Sequence, residues 1–213
     1  MRSLRSLPLL LAGLLTFLVT AAASPCGTSG MTVVKADKGD QYVLYVFREG
    51  PDIAFQLPGK GISFPEGTRG RKMFEIDGVV FETLFAKTGD FIKPGETLSD
   101  LDALKKHKDY EFDFIKKMSG PLTKLVEIGP RERRAGGGQP SFTFYLWQLV
   151  NPSDAQGPSQ YFLTTVSGAE VAVLSAIVPA AGKESLAMQA FESYAVSFQH
   201  ILRKEQCPET KNK

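Results

Sequence analysis

Apolar and polar positions alternate along most of the chain and fall into a helical period in two stretches, and that pattern predicts the elements. Gln41 to Phe47 is rich in β-branched and aromatic residues and reads as a strand, ended by the turn signal Glu49-Gly50-Pro51. Asp52 to Leu57, with Ile53, Phe55 and Leu57 alternating with Ala54 and Gln56, is its hairpin partner. The preceding residues 24–40 form a lead-in with at most a short strand around Met31–Val34. Residues 58–71, rich in glycine and proline, read as a loop. Met73–Ile76 and Val79–Phe85 flank Asp77-Gly78, the pair a type I′ hairpin turn favours because its central residues need positive φ.

Helical chemistry begins at Ser99, which forms a capping box with Asp102 while Leu98 is placed to staple. Leu101, Leu104, His107, Tyr110, Phe114 and Met118 share one predicted stripe flanked by Phe112 and Ile115, and Ser119-Gly120-Pro121 ends the helix. Four strands are predicted next, over 122–128, 141–150, 160–167 and 170–178, with Gly129–Pro140 as a loop and Ser167-Gly168 as a tight turn. Phe142, Phe144 and Leu146 oppose Tyr145, Trp147 and Leu149; Val171, Val173 and Ile177 oppose Ala172, Leu174 and Val178. Apolar residues on both faces of a strand predict a sheet covered on both sides. A last helix is predicted from Lys183 to Lys204, with Met188, Phe191, Ala195, Phe198 and Leu202 in its stripe. The sum is an α+β protein with a mainly antiparallel sheet covered by helices on both faces.

The first 23 residues stand apart from this pattern. Arg2 and Arg5 precede an apolar run from Leu7 to Val19, and Ala21-Ala22-Ala23 supplies the small residues of a cleavage site. That is the form of a secretory signal peptide, too short for a comfortable membrane span. Residues 1–23 are therefore expected to be removed, leaving 24–213 as a single domain that is periplasmic or secreted and has no transmembrane helix. Lipidation at Cys26 is disfavoured, because Pro25 stands where a lipoprotein signal wants a small residue.

Composition changes the picture once export is allowed for. The 213-residue chain is 43% hydrophobic with a formal charge of +2, which excludes a disordered chain. Removing residues 1–23 discards two arginines and no acid, leaving 23 basic and 23 acidic side chains. Global basicity, and with it nucleic-acid binding, drops out as a clue. Both cysteines, Cys26 and Cys207, remain, and an oxidising compartment favours a disulfide between them.

Candidate chemistry is sparse. His107 and His200 read as packing or surface residues, with no His-x-x-x-His or Cys-x-x-Cys to build a metal site. No Gly-x-Ser-x-Gly elbow is present, and Gly67–Lys72 lacks the spacing of a phosphate loop. No catalytic, cofactor-binding or metal-binding residue is assigned. Two basic clusters remain, Arg69, Arg71 and Lys72 in one loop and Arg131, Arg133 and Arg134 in another. If those loops met at one end of the sheet, they would hold an anionic partner or a lipid head group.

The last third carries a resemblance. Phe144–Trp147, then Gln160–Val166 with the Ser167-Gly168 turn, then Val171–Pro179 and a helix ending Ala195–Phe198, resemble the end of PsbP-like (Mog/DcrB-type) α/β/α domains over about 60 residues. The resemblance implies a non-catalytic binding or assembly module and places no functional residue; no cofactor is expected. The expected function is thus an exported binding or assembly domain of the cell envelope, with an unknown protein or envelope component as partner. A hydrolase assembled from distant residues is one alternative. An apolar-ligand carrier with Phe55, Phe64, Phe74, Phe81 and Phe85 around its pocket is the other.

Overall fold

A computed structural model of the chain describes residues 30–37, 39–48, 51–66, 72–119, 124–133, 141–150, 157–179 and 182–201. Strands β1 (Gly30–Lys35), β2 (Gln41–Phe47) and β3 (Asp52–Pro58) open the fold. They are followed by β4 (Ile62–Ser63), β5 (Met73–Ile76) and β6 (Val79–Lys87). Helix α1 (Asp100–Ser119) precedes β7 (Lys124–Arg133), β8 (Phe142–Val150), β9 (Ser159–Ser167) and β10 (Glu170–Val178). Helix α2 (Glu184–Ser197) and β11 (Gln199–Ile201) complete it. Among the described residues no helix is long and apolar enough to cross a membrane.

The sequence predicts one sheet; the strands form two. β1-β2-β3-β11 make a four-stranded sheet and β4-β5-β6-β10-β9-β8-β7 a seven-stranded one, with every pairing antiparallel. The alternation of side chains fixes which residues share a face, and both faces of the larger sheet are buried. Tyr145, Trp147, Leu149, Phe162, Val171 and Val173 pack with Leu104 of α1 on one face. Phe144, Leu146, Leu163, Ala172 and Leu174 pack on the other against Leu44 and Phe55 of the smaller sheet and Phe191 and Tyr194 of α2. The second covering layer is therefore a sheet with a helix beside it, not a helix alone.

Local chemistry accounts for most boundaries. The Asp77-Gly78 turn has φ of +50° and +81°, the left-handed pair that the I′ geometry requires. Ser99 Oγ accepts the Asp102 N–H at 3.2 Å and so caps α1. Three predictions are corrected. α1 buries Leu104 and half-buries Leu101, Phe112 and Ile115, whereas Tyr110, Phe114 and Met118, assigned to the same stripe, are exposed. β7 continues through Gly129 and Pro130, read as loop, because a bulge between Glu127 and Gly129 absorbs the extra residue. α2 stops at Ser197 rather than continuing to residue 204, and Gln199–Ile201 pair with Ala54, Ile53 and Asp52 of β3.

Candidate functional site

The two basic clusters issue from the same end of the seven-stranded sheet. Lys72 leads into β5, which starts opposite Glu82 midway along β6, and its ammonium reaches forward to Phe85, two residues short of the end of β6; β10 starts and β9 ends at the Glu170–Ser167 pair; β7 ends at the Arg133–Phe142 pair. Antiparallel pairing throughout brings the ends of β6, β9 and β7 and the start of β10 together at one end, with the Lys72 side chain directed toward them. Five strand steps of ~4.8 Å set Lys72 and Arg131 ~24 Å apart along it. Arg131 is exposed, with Nη1 donating to the neighbouring Pro130 carbonyl at 3.3 Å. Arg133 closes the strand, while Arg69, Arg71 and Arg134, like Cys26 and Cys207, lie outside the described residues.

Between those outposts sits a polar cluster that no local sequence motif announces. Arg48, only 5% exposed, directs Nη2 to Glu170 Oε2 at 2.8 Å and to the Ser167 carbonyl at 3.4 Å. Its backbone N–H donates to Asp52 Oδ1 at 3.0 Å. The guanidinium stands 4.2 Å from the centre of the Phe85 ring, and Lys72 Nζ stands 4.5 Å from the same centre. Burial lowers the pKa of Arg48, against the pull of Glu170 and Asp52. Burial, then the charge of Arg48, lowers that of Lys72.

His200, expected on a helix, is on β11, and its Nε2 lies 2.9 Å from Ser167 Oγ. A serine beside an imidazole is one requirement of an activated nucleophile. Access to a substrate carbonyl is another, and Ser167 is fully buried. The contact instead ties β11 of the small sheet to β9 of the large one. His200 is held below its ordinary pKa by burial and by Arg48.

At the opposite end a cleft of about 210 Å³ opens between α2 and the β5–β6 hairpin. Ile76, Phe81 and Ala190 contribute apolar surface, and Asp40, Lys60, Asp77 and Gln189 polar groups. The Asp77 carboxylate accepts the N–H groups of Lys60 at 3.0 Å and Gly61 at 3.2 Å, and Lys183 Nζ donates to the Asp77 carbonyl at 2.8 Å. Of the five phenylalanines considered as pocket lining, Phe81 alone is among the cleft residues; Phe55 and Phe74 are in the core and Phe64 is 56% exposed.

A third polar group lies under α1. His107 is 1% exposed, with Phe91 edge-on at 5.3 Å and no hydrogen-bond partner for either ring nitrogen among the described residues. Burial lowers its pKa to about 4, so the ring is neutral. Glu111 Oε1 lies 3.6 Å from Nε2, one helical turn away; burial raises the pKa of that carboxyl. This i,i+4 carboxylate was legible in the sequence, and reading His107 as a packing residue passes over it. Lys108, equally buried, binds Glu127, whose Oε2 accepts Tyr145 Oη at 2.6 Å, fastening the helix to β7 and β8. Among the described residues no three His, Cys, Asp or Glu side chains converge to hold a metal ion.

No family model matches the chain, and no curated protein matches it. Among solved structures it is similar to the solution structure of cyanobacterial PsbP (CyanoP) from Synechocystis sp. PCC 6803, at 12% identity and a TM-score of 0.43, over 85% of this chain and 99% of that one. The chain is an α+β protein of mostly antiparallel sheets, with this PsbP as a structural neighbour.

Proposed function

We propose that the chain is an exported, non-catalytic binding or assembly domain of the cell envelope, and that its partner is anionic. One observation carries the reading: the Lys72 ammonium and Arg131, from basic clusters some 60 residues apart in the sequence, lie toward one end of the seven-stranded sheet, with Arg48 between them over Phe85, Ser167 and Glu170. Cations spread over ~24 Å suit an extended anionic surface better than a single small anion. The signal-peptide form of residues 1–23 supports export, and the neutrality of the remaining chain makes this basic end a local feature. The fold reading that accompanies it is a PsbP-like α/β/α layering, supported by α1 on one face of the large sheet and α2 near the other.

Phosphatidylglycerol vesicles are the probe. The protein is expected to cosediment with them, less so as salt rises, and K72E/R131E/R133E is expected to lose about tenfold in association. Equal binding of the triple variant, or equal binding of the unaltered protein to phosphatidylcholine vesicles, sinks the reading.

A further inference from the structure

Helix α1 spans only part of the sheet face on which it packs. It lies over β8 and β9, while β10, β6 and β5 continue that face beyond it. Val173 packs with α1 here, and the ladder sets Leu84 opposite Val173 and Val80 opposite Ile177. Leu84 and Ile177 are 41% and 37% exposed. The same ladders bring Glu82 and, on β5, Glu75 to this face. α1 turns an apolar flank toward the open strip. Lys108, bound to Glu127, marks the side of the helix that faces β7. Tyr110 lies on the other side, against Phe91, which follows β6. Phe114 and Met118 succeed it at four-residue spacing and are exposed. Five of the ten exposed large apolar side chains among the described residues therefore gather along one groove, with α1 as its wall and β10 and β6 as its floor.

We propose that this groove is a two-fold interface between two copies of the chain, each laying its α1 in the groove of the other. The surface is its own complement. The two strand steps from β10 to β5 span ~10 Å, close to the ~10–12 Å breadth of a helix with its side chains. A two-fold axis along the border of ridge and trough exchanges one for the other. Tyr110 and Phe114 of the two helices then face each other across the axis, and the outer turns of each α1 come down on the partner's floor. Lys106 and Lys117 border the apolar flank on that outer side, with Asp113 between them. They meet the partner's Glu75 and the partner's Glu82, while their methylene stems cover the apolar floor. The 20 residues of α1 are ~30 Å long, so ridge and trough together cover ~600 Å² per copy and ~1,200 Å² in all, the lower bound of a specific interface. A reversible dimer with Kd on the order of 10 μM is expected from that area. α1 runs from the end where β6 stops to the end where β7 starts, so an axis along it leaves both basic ends on one side of the dimer. The dimer stands independently of the anionic-partner reading.

Sedimentation equilibrium of the full chain under reductant, from about 1 μM to about 300 μM so as to bracket that constant, is the test. A monomer–dimer equilibrium without larger species is expected, because a two-fold contact closes on itself. F114E is expected to raise Kd at least about tenfold with its circular dichroism unchanged. K117E is expected to weaken association and K117E/E75K to restore it, which a damaged fold would not do. Mild oxidation of Phe114→Cys is expected to cross-link two copies through position 114. A chain monomeric at the highest concentration overturns the proposal. So does a dimer that F114E and K117E leave intact, since another surface, residues 1–23 included, then makes it. K117E/E75K as weak as K117E overturns the placement of α1 on the partner's floor.

Discussion

His107 is a titratable ring in an apolar site, and its burial makes folding depend on pH. Its ordinary pKa of 6.5 falls to about 4 in the fold. The unfolded chain therefore binds the proton more tightly, and stability is present in full above pH 6.5 and lost as pH falls through 4. The shift corresponds to about 3 kcal/mol. Glu111 works in the opposite direction, because burial raises its pKa and favours the protonated carboxyl in the fold. Urea midpoints are expected to fall steeply between pH 6.5 and 4.5, and the fall is expected to flatten in H107M. A slope equal in both proteins would remove His107 as the cause. Gly78 poses a conformational demand rather than an ionic one. At φ +81° an alanine is strained, and its Cβ also meets the ammonium end of Lys183. G78A is expected to lose about 1 kcal/mol in chemical denaturation, with the hairpin register kept. The type I′ pair is the most sequence-legible feature at this scale because the requirement is local.

β3 shows how an element's edge is completed by two different neighbours. Residues 52–54 are paired by β11, and further along the Gln56 N–H donates to Ser197 Oγ at 2.7 Å. The same hydroxyl donates to the Ser193 carbonyl at 2.5 Å. The last turn of α2 thus closes a stretch of strand that would otherwise expose backbone groups. S197A leaves the Gln56 N–H without that acceptor, and a loss of about 1 kcal/mol in thermal or urea denaturation is expected. An unaltered midpoint would show that water replaces the hydroxyl at no cost. This junction also explains why the end of α2 was not legible in the sequence. Phe198 and Leu202 continue the helical spacing, but Phe198 is buried among the Phe142, Phe144 and Tyr194 rings, and pairing with β3 takes over at Gln199. In β7 the reverse holds: Gly129 and Pro130 look like breakers, yet a bulge with Gly129 at φ +109° carries the strand past them. In α1 several apolar stripes were available, and the packing surface of the sheet selected the one containing Leu104 and Ile115 over the one containing Phe114 and Met118.

At the scale of the molecule, periodicity revealed which residues of β8 and β10 share a face, and the two hydrophobic clusters follow that division. It did not reveal which strands neighbour one another, because a period of two is blind to partner choice. The split into two sheets follows from that blindness. So does the polar cluster: Arg48 meets the Ser167 carbonyl across 119 residues of sequence, and His200 meets the Ser167 hydroxyl across 33. Charge clustering, by contrast, is local enough to single out Lys72 and Arg131 in the sequence, while the distance between them is set by a strand order that periodicity does not carry. One pairing has a consequence for how the chain is made. β6 lies beside β10, so residues 80–87 wait for residues 170–177 before the middle of the larger sheet closes. Contacts of such high order form slowly, after most of the chain has emerged. A nascent chain whose central ladder is missing until its last quarter is synthesised keeps the middle of its larger sheet open through most of translation.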